Sequence, residues 1–295
     1  MRLSWHCTIL GGLLLVACGS STSKGGQPGN PAPQPNPTTP SGDNTASGIV
    51  YTPVHDASYQ LVRHDSISMQ LPGGANQVQL IDRTAYVHLS LTRDTNSYLA
   101  TIVLDSLQAS VGGVPAVPDS VIPARGTRWT ANLTPDGKLS ALRADRSTTV
   151  GDQIGSHLRA LFPPLPPGGA RAGMDWTDTT EVPIRAEAFD ATERSLASFH
   201  STESDDPHAK KALKLEGRAT FQRTGKGTQY DQQMEMTASG NRTAVYYLNP
   251  DGTLASAHGS DSGDMTITVP AVGQTVPVKQ TGTYTITTTR SPAKH

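Results

Sequence analysis

The chain predicts a mainly β protein: a large curved antiparallel sheet or half-barrel, in two similar halves, with one central amphipathic helix. Three observations carry this expectation. Apolar and polar residues alternate with a period of two along successive stretches after residue 49, the pattern of antiparallel strands with one wet face. Asp-Gly and Gly-Gly pairs, which supply the positive φ angles of tight hairpins, punctuate those stretches. One segment near residue 150 carries apolar residues at helical spacing instead.

The elements follow in order. Met1 to Ala17 reads MRLSWHCTILGGLLLVA, with Arg2 ahead of an apolar run from Thr8 to Val16. That run is too short for a hydrocarbon core about 30 Å thick, which needs about 20 apolar residues, so it reads as a secretory signal peptide. Leu15-Val16-Ala17-Cys18 resembles the lipobox of bacterial lipoproteins. The resemblance implies cleavage before Cys18 and a membrane anchor on its sulfur, the nucleophile that takes the diacylglycerol as a thioether. It also implies outer-membrane sorting over the inner membrane, because Gly19 stands where an Asp would retain the chain at the inner one. Cleavage removes Cys7, so the mature chain carries a single, lipidated cysteine and no disulfide.

Residues 19–48 hold Pro28, Pro31, Pro33, Pro35, Pro37 and Pro40 among Gly, Ser, Asn and Thr. Such a segment buries too little to offset its ordering entropy and is expected to be a disordered tether. As a coil its thirty residues reach about 30 Å.

Residues 49–295 are expected to form one β-rich domain, its halves about 49–145 and 175–290. Ile67, Met69 and Leu71 alternate with Ser68 and Gln70; Val87, Leu89 and Leu91 with His88 and Ser90. Tyr230, Gln232, Met234 and Met236 share a parity, and Tyr284 and Ile286 sit among threonines. Pro72-Gly73-Gly74, Pro135-Asp136-Gly137, Gly225-Lys226-Gly227 and Pro250-Asp251-Gly252 read as turns. Two of these belong to a repeat: Leu133-Thr134-Pro135-Asp136-Gly137-Lys138-Leu139 matches Leu248-Asn249-Pro250-Asp251-Gly252-Thr253-Leu254. Between the halves, a helix is predicted over about 149–162. Thr149 would cap it, Asp152 three residues on would be its capping-box partner, and Val150, Ile154, Leu158 and Leu161 would form its stripe. Gly151 and Gly155 weaken it by about 1 kcal/mol each relative to alanine. One amphipathic helix amid strands must press its stripe on the sheet.

This layout, with Gly173-Met174-Asp175-Trp176-Thr177-Asp178-Thr179 opening the second half, resembles uncharacterised envelope lipoproteins with a half-barrel, lipoprotein-carrier-like fold. The resemblance implies a hydrophobic groove between sheet and helix and no catalytic residues. Ile154, Leu158, Met234 and Met236 would line such a concavity or, in the alternative, simply fill a packed core.

Charge and motifs point the same way. Lys+Arg number 24 against 25 Asp+Glu, no footprint for nucleic acid. There is no GxSxG elbow, P-loop or HExxH, and no cofactor or metal is expected. Gly259-Ser260-Asp261-Ser262-Gly263 has Asp at its centre and reads as a solvated turn. His88 belongs to the wet face of its strand, and His157 to a boundary of the helix. Glu203, Asp205 and Asp206 could offer oxygens to calcium, but Lys210 and Lys211 adjoin them, so an exposed loop is the better reading. Asp175 and Asp178 flank Trp176 as paired carboxylates would in a glycosidase, without a second catalytic pair. The expectation is a non-enzymatic, lipid-anchored envelope protein that binds a lipid or other hydrophobic ligand. The alternatives are an interaction module for an envelope protein partner and, behind it, a hydrolase assembled from distant residues such as Asp175, Asp178 and His200.

Overall fold

The computed structural model describes residues 48–290 except 72, 141, 187–188, 206–211 and 230–231. The signal segment, Cys18, residues 19–47 of the tether, Tyr230, Asp206, Lys210 and Lys211 lie outside the described residues. The first half runs through β1 (Val54–Gln70), β2 (Asn76–Asp94), β3 (Ser97–Val111), β4 (Val114–Pro115), a one-turn helix α1 (Pro118–Val121), β5 (Arg128–Leu133) and β6 (Arg143–Ala144). Helix α2 (Thr149–His157) follows. The second half holds β7 (Asp175–Ala186), β8 (Phe189–Glu203), β9 (Leu213–Gln229), β10 (Gln232–Leu248), β11 (Leu254–Val269) and β12 (Gln274–Arg290).

All twelve strands join one open antiparallel sheet in the order β6-β5-β3-β2-β1-β12-β11-β10-β9-β8-β7, with β4 on β3. Each half is a meander, and the first and last strands pair at the centre, Leu61 opposite Ile286. The two halves lay out their strands alike: the spacing of 115 residues between the repeated loops also carries β2, β3 and β5 onto β8, β9 and β10. Both repeated loops clamp the same piece of chain. The Tyr51 amide donates to the Pro135 carbonyl at 3.0 Å, and the Thr52 hydroxyl to the Asp251 carbonyl at 2.6 Å. Gly137 and Gly252 are needed there, since both adopt positive φ and a Cβ on either would collide with Tyr51 or Val50.

Strand parity decides which residues face inward. On β1, Tyr59, Leu61, Arg63, Asp65, Ile67 and Met69 point in, while Gln60, Val62, His64 and Ser66 point out. Helix α2 links the two sheet edges and lies across the concave side, with Ile154, Leu158 and Leu161 in one buried cluster with Trp129, Leu61 and Leu248. Gly155 lets it approach closely, because a Cβ there would stand 2.8 Å from Trp129 Nε1. The helix starts at Thr149 as its sequence predicts, but its cap is the residue before: Thr148, extended at φ −141°, accepts the Gly151 amide at 3.0 Å. Asp152 accepts from the Ser147 hydroxyl at 2.6 Å. The helix also ends sooner, passing at Leu158–Leu161 into a 3₁₀ turn before the prolines.

Two expected turns prove to be strand. Gly225 and Gly227 lie inside β9, and the glycine at 225 serves a close approach, since a Cβ would stand 2.6 Å from Ala191 Cβ. Gly259 to Gly263 lies inside β11 with Asp261 facing inward. His200 to Glu203 likewise closes β8 and is not part of a loop.

Candidate functional site

Six strands separate β2 from β7 in the sheet, yet Arg83 and Ala85 of the one and Asp178 to Ile184 of the other line a single cavity. The sheet therefore curls around it. The cavity measures about 660 Å³, within the ~300–1,000 Å³ range of small-molecule sites. Gln153, Ile154 and His157 of α2 form part of its wall.

Register stacks the inward residues in three tiers. The first is the cluster around α2. The third is a second apolar cluster at the far end, with Ile67, Met69, Ile81, Met236, Ile267 and Val278. Between them runs a band of charge. Arg63 bridges Asp65 at 2.7 Å and Asp261 at 2.8 Å. Arg83 bridges Asp65 at 2.8 Å and donates to Gln153 Oε1 of α2 at 2.6 Å. On the neighbouring strands Glu193 receives Arg223 at 2.7 Å and Arg242 at 2.6 Å. Arg242 stands opposite Asp261 in register and lies 4.3 Å over the Phe221 ring, so the band is continuous. Arg63, Asp65, Arg83 and Glu193 are all buried.

Inward glycines make room for this band. A Cβ on Gly282 would lie 2.5 Å from Arg63 Nη2, and one on Gly240 would lie 2.6 Å from Phe221 Cζ. The electrostatics follow from the packing. Burial pushes the Glu193 carboxyl up, but the hydrogen bonds and charges of Arg242 and Arg223 outweigh it and hold it down at about 2. Desolvation, followed by the charges of Arg63, Arg83, Arg242 and Arg223, keeps the His157 imidazole well below its ordinary value and therefore neutral. His157 is half-buried on the wall of the cavity, at the boundary of the helix as its sequence predicts.

The four groove residues named from sequence divide between two tiers. Ile154 and Met236 line the cavity. Leu158 is packed into the cluster around α2, and Met234 is buried in the far cluster. Asp175 and Asp178 fall on opposite faces of β7: Asp175 pairs with His200 at 2.8 Å on the exposed outer face, while Asp178 lines the cavity and accepts from Thr180. His88 pairs with Asp56 at 3.2 Å, with its side chain 39% exposed on the wet face. Asp205 pairs with Lys214 at 3.3 Å, and no cluster suited to a metal ion occurs among the described residues. The charged band is what sequence reading missed.

No family model and no curated protein matches the chain. Among solved structures, Neisserial surface protein A (NspA) is similar at 8% identity and TM-score 0.24, covering 78% of this chain and 96% of that one. DynF from the dynemicin biosynthesis pathway of Micromonospora chersina is similar at 11% identity and TM-score 0.23, covering 86% and 92%. Superpositions this loose bear on neither fold nor function.

Proposed function

We propose that this protein is a lipid-anchored component of a bacterial cell envelope that holds a hydrophobic ligand inside its curled sheet. In this reading Cys18 carries the anchor, residues 19–48 keep the domain clear of the bilayer, and the outer membrane is the destination. No cofactor and no catalysis is assigned to it. The observation that carries the ligand is the cavity itself, about 660 Å³ with a Met, Ile and Val tier at one end. A packed core would leave few voids larger than a water molecule.

The outer face of the sheet supports a domain standing in water. Lys226 and Glu235 pair there at 3.0 Å, with Thr237, Ser239 and Asn241 on the same parity, where a lipid-facing barrel would need an apolar band. No helix among the described residues is long and apolar enough to cross a membrane.

Two measurements test the reading. Replacing Cys18 by Ser should move the protein from the membrane to the soluble fraction, and an unchanged membrane location would refute the anchor. The chain from Gly19 onward, exported behind an ordinary cleavable signal, should brighten an apolar naphthylamine probe and release it to a lipid extract. No uptake would refute the ligand. A second reading rests on β7, a twelve-residue strand at the open edge of the sheet that could accept a strand from an envelope protein partner. Its test is a crosslink from a photoreactive residue at Thr177, on that edge, to one reproducible protein.

A further inference from the structure

The two ends of the sheet differ in charge. Residues 66–81, 106–118 and 265–278 hold no ionisable side chain, although 17% of the chain is Asp, Glu, Lys or Arg. Folding brings all three stretches to one end. They contain the turns between β1 and β2, between β3 and β4, and between β11 and β12. The sheet order β3-β2-β1-β12-β11 makes these turns neighbours, with Ile81 opposite Val111 and Met69 opposite Val278. At a strand spacing of about 4.8 Å, successive tips stand about 10 Å apart.

Val78, Leu80, Val114, Val117 and Val272, on or beside these tips, are each more than half exposed. Single exposed apolar residues are ordinary, but a group of them at one charge-free end marks a contact site. The opposite end is built otherwise: its turns hold Arg93 and Asp94, the Asp136–Lys138 pair and the Asp205–Lys214 pair.

The layer behind the apolar tips is apolar too. Met69, Ile81, Val269 and Val276 belong to the far cluster, and Met69, Ile267 and Val278 carry it into the cavity wall. The chain before Gly48 leaves at the charged end, where the Ile49 amide donates to the Ala170 carbonyl at 2.8 Å. Residues 19–48 reach at most about 100 Å. Strand β1, with 17 residues, is about 56 Å long. A chain anchored at Cys18 is therefore long enough to turn its far end back onto the membrane that holds it.

We propose that this end is a membrane-docking edge, whose three turns press their valines and Leu80 into the interface of a lipid bilayer and set the apolar tier of the cavity beside it. The proposal rests on the anchored, ligand-binding reading above and adds the side from which the ligand comes. Because the three stretches hold no basic residue, docking draws on apolar burial and not on anionic headgroups.

The test reads depth. The full chain, anchored through Cys18 in phosphatidylcholine vesicles, carries one nitrobenzoxadiazole dye on an added cysteine: Val114→Cys, Val272→Cys or, at the opposite end, Asn96→Cys. Nitroxide lipids should quench the dyes at 114 and 272 by about twofold or more and spare the dye at 96, with or without phosphatidylglycerol. Should the chain prove unanchored, the same dyes are read on the chain from Gly19 onward in excess vesicles. Val114→Asp together with Val272→Asp should slow transfer of the naphthylamine probe from vesicles about tenfold and leave its uptake from water unchanged. Both valines are exposed and outside the cavity lining, so these changes spare the fold.

Dyes at 114 and 272 as unquenched as the one at 96 overturn the docking edge, whatever the chamber binds. Quenching that requires phosphatidylglycerol overturns it as well. Dimers in vesicle-free solution that the paired Asp substitutions dissolve would assign this end to a second copy, and quenching only in vesicles that hold envelope proteins would assign it to a protein; either overturns the proposal. Quenched tips on a chain that takes up no probe from any source leave the edge standing and refute the ligand reading beneath it.

Discussion

Glu193 and His157 make the charged band measurable. The Glu193 carboxyl lies at about 2 in the folded protein, against an ordinary 4.5, so the unfolded chain binds the extra proton as pH falls. Its stabilisation is fully present above about pH 4.5 and is lost as pH drops through about 2. His157 has the opposite chemistry and the same sign. Its folded value lies below the ordinary 6.5, so below pH 6.5 the unfolded chain again takes the extra proton and stability falls. Urea titrations across pH should therefore show a decline starting near 6.5 that His157→Gln flattens, and a deeper acid decline that Glu193→Gln flattens. Gly282 offers a second check. Its missing side chain is where Arg63 reaches Asp65 and Asp261, so Gly282→Ala should cost about 1–3 kcal/mol in urea unfolding by crowding that guanidinium. An unchanged midpoint would mean that the band has slack the structure does not show.

Among the elements, the strands of the first half and the repeated loops were legible in the sequence, because Ile67, Met69, Val87 and Leu89 obey a strict alternation of apolar and polar. β11 was not. Its inward positions include Gly259, Asp261 and Gly263, so the periodic signal vanishes where the sheet makes room for Tyr284, Phe221 and the ion pairs. The same device hid β9 at Gly225. Even so, one clue to the band was present: Arg63 and Asp65 have the same parity as Leu61 and Ile67, so they were bound to face the core. Pairing them with Asp261, or Glu193 with Arg242, depends on a register between strands far apart in the chain, which no local pattern carries. Helix α2 shows how a cap is misplaced by one residue, since Thr148 and Thr149 are equivalent by composition and only backbone geometry selects the first. Thr148→Ala should cost about 1 kcal/mol of stability in thermal unfolding, while Thr149→Ala should be nearly neutral.

The molecule as a whole is an open sheet curled about its middle. Pairing β1 with β12 joins the halves, the two Asp-Gly loops grip residues 50–52, and α2 links the two edges. What this leaves inside is a chamber with apolar ends and a charged waist. Trp176 stacks on Phe199 at 5.3 Å and donates to the Pro164 carbonyl, tying edge strand β7 to the chain that follows α2. On the function proposed above, an anchor at Cys18, a tether and the chamber would belong to a protein that takes membrane-derived molecules out of water. The decisive measurement is native mass spectrometry of the exported chain from Gly19 onward, before and after exposure to envelope lipids. We expect one added mass per chain, released on denaturation and identified as a lipid, and its loss when Ala238→Trp fills the cavity wall. A clean mass for the unaltered protein under both conditions would contradict the account, leaving the chamber as space within a fold that serves some other purpose.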